Sequence, residues 1–218
     1  MAGTGWTSIE WTAFGSVLSG AGTVIGALAV IAAAWFGSRT FEIWRKQTLS
    51  ERRIEQAERI LTTTYKVRRG LSLVRNPMLW AHESQAAEDY LKKKGQLSGS
   101  RRDDEKLTTA QLYYSRLNGE LDNRRALEEC QPMARALFGE ELELAMDALN
   151  RQFQMVNAAV QAQYSFEENT DRAFREKMEA VLWAGYPSPE ENKMDKEIAE
   201  QVKVIEGACV PVLRLEAK

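Results

Sequence analysis

The chain has 218 residues and a formal net charge of −2, with 29 basic against 31 acidic residues, which is room for one moderate domain and an appendage. One histidine, His82, and two cysteines, Cys130 and Cys209, exclude most chemistry that pairs a nucleophile with a histidine base, and the cysteines lack metal-ligand spacing. A mean hydropathy of −0.42 suits a soluble protein, but it averages over a strong asymmetry.

No Asp, Glu, Lys, Arg or His occurs from Trp11 to Ser38. As a helix at about 1.5 Å per residue this run spans roughly 40 Å, and the hydrocarbon core of a bilayer is about 30 Å thick. Residues 11–38 are therefore expected to form a transmembrane helix, with 1–10 as a short extracytoplasmic N-terminus. A signal peptide would need a basic stretch before the apolar run, and Met1 to Glu10 has no Lys or Arg. Trp6, Trp11, Trp35 and Trp44 fall near the two ends of the run, where aromatic residues meet membrane interfaces. Arg39, Arg45, Lys46, Arg52 and Arg53 follow it, so the positive-inside rule puts the short N-terminus outside and the rest of the chain in the cytoplasm. In that reducing compartment the cysteines are expected to be buried thiols.

Within the run, Gly15, Ser19, Gly22 and Gly26 recur every three or four residues, with Thr23 beside them and Ala29 and Ala33 continuing the smooth side. Small residues let helix backbones approach closely in lipid, so this face predicts homo-oligomerisation. A ring of several copies would line a narrow, uncharged pore with it.

Residues 39–75 read as a basic juxtamembrane helix with ten basic and four acidic residues. Its first five cations could form an electropositive collar that attracts lipid headgroups or RNA. Leu49, Ile54, Ala57, Leu61, Val67, Leu71 and Val74 share one face of it. Residues 76–218 are expected to form a cytoplasmic helical bundle, making the chain all-α. Asn76 is expected to cap a helix that begins at Pro77 and ends near Lys94. After a polar loop, a helix from about Asp104 to Cys130 carries Leu107, Tyr114, Leu117 and Leu121. Leu142, Met146, Leu149, Phe153, Val156 and Val160 then alternate steps of four and three, the seam of a packed bundle helix. A shorter helix bears Phe174, Met178, Val181 and Leu182. "SPEE" (188–191) reads as a capping box opening the last helix, which carries Met194, Ile198, Val202, Ile205 and Cys209 and is expected to become irregular at Pro211.

The sequence contains no Walker loop, GxGxxG, HExxH or paired CxxC, and no cofactor or small-molecule substrate is expected. Catalytic residues are assigned to none of these segments. "RNPMLWAH", Arg75 to His82, nevertheless resembles the RNase signature of HEPN domains. That resemblance would give Arg75 a role in stabilising phosphate charge, with Asn76 and His82 positioning 2′-hydroxyl chemistry. Taken with the anchor, basic helix and bundle, the whole is similar to the membrane accessory proteins of type VI-B CRISPR systems. What this likeness implies is an inner-membrane pore in antiviral defence that depolarises infected cells. Its HEPN-like domain would not act as a nuclease, and its partner would be an RNA-guided effector or RNA. The other readings are a membrane-tethered HEPN-type RNase and a membrane anchor or scaffold for a cytoplasmic protein.

Overall fold

The computed structural model describes residues 8–165 and 171–214, with side chains described except at 8–18, 21, 24 and 165. Among the described residues the chain is all-α. In chain order the helices are α1 (Ser8–Val74), α2 (Ala81–Lys94), α3 (Arg101–Gly119), α4 (Leu121–Phe138), α5 (Glu140–Ser165), α6 (Arg172–Leu182) and α7 (Lys193–Leu213). The chain divides into two units, Met1–Arg52 and Arg53–Lys218, with the division falling inside α1.

In the first unit, hydroxyls fold back on the helix itself: Thr23 Oγ1 donates to Ser19 O, Ser38 Oγ to Trp35 O and Thr40 Oγ1 to Phe36 O, each at 2.9 Å. That arrangement satisfies a polar side chain without a partner element. Ile25, Leu28, Val30, Ile31, Trp35 and Phe36 are all exposed. Among the described residues no helix is long and apolar enough to cross a membrane. The span expected over 11–38 includes 11–18, 21 and 24, whose side chains lie outside that description. It therefore rests on the sequence.

The second unit is built around α5, which packs against α3, α4, α6 and α7. Leu142, Met146, Leu149, Phe153, Val156 and Val160 are all buried, as the alternating spacing requires. Met194, Ile198, Val202, Ile205 and Cys209 close the core from α7, and Ala57, Ile60, Leu61, Val67, Leu71 and Val74 do so from α1. Ile54 is half-buried, while Leu49, in the first unit, is exposed.

Four boundaries differ from the sequence reading. Asn76 does not cap a helix at Pro77. Its Oδ1 accepts the N–H of Met78 at 2.9 Å, and α2 starts only at Ala81. The helix expected over 104–130 is two helices, α3 and α4, joined where Gly119 meets Glu120. Ser188 heads a turn, its carbonyl accepting the N–H groups of Glu191 and Asn192. The cap of α7 is instead Asn192, whose side chain accepts from Asp195 N at 2.9 Å. Pro211 lies inside α7, which runs on to Leu213.

Candidate functional site

The Arg75–His82 stretch lies between the end of α1 and the first turn of α2, in the second unit. Arg75 is only 1% exposed. Its Nε donates to Val181 O at 2.7 Å, and its Nη1 is ion-paired with Asp195. Nη2 reaches Ala180 O at 3.2 Å, Trp183 O at 3.4 Å and Asn192 Oδ1 at 3.3 Å. All three guanidinium nitrogens are thus engaged by the α6–α7 connection. A fully charged, desolvated arginine is stable only with such complete pairing.

Asn192 works from the other side of the same knot. Its Nδ2 donates to Ala180 O at 2.8 Å and Tyr186 O at 2.7 Å, while Gly185 N donates to Asp195 Oδ2 at 2.6 Å. Ala184 N donates to the backbone carbonyl of Arg75 at 2.9 Å. Arg75 therefore ties the end of α1 to the turn that leads into α7.

A second arginine, which the sequence reading did not single out, holds the extended residues that follow. Arg116 of α3 is buried, donating to Asn76 O and Met78 O at 2.8 Å each and pairing with Glu83 at 2.6 Å. The Arg116 hydrogen bond holds the Glu83 carboxyl below the usual carboxylate range; burial opposes this, and the Trp80 N–H reinforces it. Met78, Leu79 and Trp80, held in this way, stay exposed.

His82 lies on α2 and is exposed, and Asn76 is half-buried with its side-chain oxygen used in the local turn. The structure thus gives Arg75 and His82 different surroundings: one is buried and fully hydrogen-bonded, the other is open to solvent. No guanidinium nitrogen of Arg75 is left without a partner to meet a phosphate.

Of the residues assigned to a pore or oligomer face, Ser19, Gly22, Thr23, Gly26, Ala29 and Ala33 are exposed in the first unit. An added Cβ at Gly22 or Gly26 would meet nothing within 4 Å. Gly15 lies outside the residues with described side chains. In the expected collar, Arg39, Arg45, Lys46 and Arg52 are exposed, with Arg39 4.9 Å from the Trp35 ring centre. Arg53 belongs to the second unit, half-buried and 5.4 Å from the ring centre of Phe138. Among the described residues no group of three or more His, Cys, Asp or Glu could hold a metal ion.

The partners of Arg75 had one sequence signal. Asn192, three residues before Asp195 at the start of an apolar helical face, fits a cap. Arg116 carried none, since an arginine within a helix is ordinarily a solvated residue. Comparison with protein-family models, with curated proteins and with solved structures gave no match.

Proposed function

We propose that the chain is a homo-oligomeric, single-pass effector or channel of the bacterial inner membrane, which permeabilises or depolarises it without enzymatic chemistry. The N-terminus faces outward and the helical bundle lies in the cytoplasm. The observation that carries this reading is the apolar surface of the first unit. Ile25, Leu28, Val30 and Ile31 are each more than 60% exposed, as is Phe36, on a helix with no charged residue between Trp11 and Ser38. Water disfavours such a surface by about 25 cal/mol per Å², whereas hydrocarbon and further copies of the same helix both accept it. The length of the span is a sequence argument, and the small face from Ser19 to Ala33 supports close helix approach. The antiviral, CRISPR-linked setting rests on the resemblance alone.

The test is the detergent-corrected mass of the purified full chain by light scattering, followed by ion flux in proteoliposomes. A mass corresponding to a ring of several copies is the expected result, and Gly22→Phe or Gly26→Phe is then expected to abolish flux or assembly. A dimer overturns the pore reading.

A second reading, a membrane-anchored scaffold, is favoured by Met78, Leu79 and Trp80, which present apolar side chains from a fixed backbone. Exchanging the whole span for an unrelated apolar helix separates the two, because a scaffold keeps its function and a pore loses it.

A further inference from the structure

Met78, Leu79 and Trp80 are exposed, Met78 at 56%, yet their backbone is fixed. Arg116 holds the carbonyls of Asn76 and Met78, and the Glu83 carboxylate accepts the N–H of Trp80. A rigid apolar segment has little conformational freedom left to lose when it is covered, which favours binding. From Asn76 to Ala81 no side chain is charged.

The same unit carries a receptor of matching chemistry. Between α5, α6 and the start of α7 lies an open pocket of about 770 Å³, with apolar walls from Ala148, Met155, Ala180, Val181 and Met194. Of the charged residues that line it, Arg151 is paired with Asp147 at 2.6 Å, and Lys177 and Lys193 balance Glu191 and Glu197. Such a rim suits an uncharged insert better than an anion or a cation. Within one chain the segment is tied to α3 and does not line the pocket. An apolar segment and a separate pocket in every copy generate a head-to-tail contact, in which each copy gives its segment to one neighbour and receives one from another. Such contacts close into a ring where the rotation allows.

We propose that Met78, Leu79 and Trp80 of one copy seat in the α5–α6–α7 pocket of the next copy. The inference rests on the homo-oligomeric reading of the first unit, since copies joined through their spans raise one another's local concentration and let a small contact suffice.

The test co-expresses two differently tagged full chains, one carrying Trp80→Cys and the other Met155→Cys, and treats the complex purified in detergent with a short bismaleimide. Cys130 and Cys209 are buried and give little background. The expected product is a covalent dimer bearing both tags, which neither variant forms alone. Adding Leu79→Glu to the Trp80→Cys chain changes an exposed side chain and is expected to lower the yield of mixed dimer at least about tenfold. Absence of the mixed dimer overturns the inference, as does a yield insensitive to Leu79→Glu. So does Trp80→Cys crosslinking to itself, which would mean that the segments pair with one another. The detergent-corrected mass keeps the two failures apart. A ring mass without mixed crosslinks sinks this contact alone, a monomer sinks the homo-oligomeric reading with it, and mixed crosslinks without ion flux uphold the contact and overturn the pore.

Discussion

At Arg75 a single guanidinium fastens three parts of the chain, because Val181, Ala180 and Trp183 offer carbonyls and Asp195 a carboxylate to the same buried group. Removing it strands those acceptors as well as the carboxylate. Truncating one member of a buried, hydrogen-bonded charge pair costs about 3–5 kcal/mol. Arg75→Ala is therefore expected to lower the unfolding free energy of the bundle by about that amount in urea denaturation followed by circular dichroism. His82→Ala, at an exposed position, is expected to stay within about 0.5 kcal/mol of the parent. If instead Arg75→Ala is neutral in stability, the arginine is free for another task and the structural role is wrong. The residue was legible in the sequence as one to single out. Its role was not, because its partners lie 105–120 positions further along the chain.

Helices report the same division between what local pattern specifies and what tertiary contacts decide. The seams of α5 and α7 were legible because their apolar residues recur at helical spacing and every one is buried. The α3–α4 joint was not, since an isolated glycine in a helical pattern is tolerated and gives only a weak signal. The same joint explains Gly70 on α1. A Cβ there would overlap the carboxylate of Glu120, a buried side chain held by Asn123 Nδ2 at 2.7 Å. On an open helix, Gly→Ala gains about 0.5–1 kcal/mol, but crowding a packed contact costs about 1–3 kcal/mol. Gly70→Ala is thus expected to lower the melting midpoint. In a Glu120→Ala background the same change should raise it, a reversal that a double-mutant cycle measures directly. A stabilising Gly70→Ala in the parent would mean that the Glu120 carboxylate swings aside at little cost and does not hold that position.

For the whole molecule, the division at Arg52 and Arg53 separates a helix with exposed apolar side chains from a bundle with a continuous core. Sequence composition placed the change of character at the last uncharged residue, Ser38. The compact unit starts between that point and residue 76, where the bundle was expected to begin, because packing of α1 into the core starts near Ala57 and Ile60. Fourteen residues of helix can be basic and exposed without belonging to either an apolar span or a core, and charge patterning alone does not reveal where burial begins. A fragment comprising 53–218 is expected to be helical and to unfold in one cooperative thermal transition. A broad, non-cooperative melt would show that the first unit is needed to complete the fold.

Both cysteine thiols of the chain are buried in this bundle, and desolvation pushes Cys209 up to about 12 and raises Cys130 as well, so neither is a thiolate at neutral pH. Because a thiol reagent reacts with thiolate that it can reach, the native protein carries two silent clocks. Each alkylation event, followed by mass spectrometry, counts an opening of the core near α4 or α7, without any introduced label.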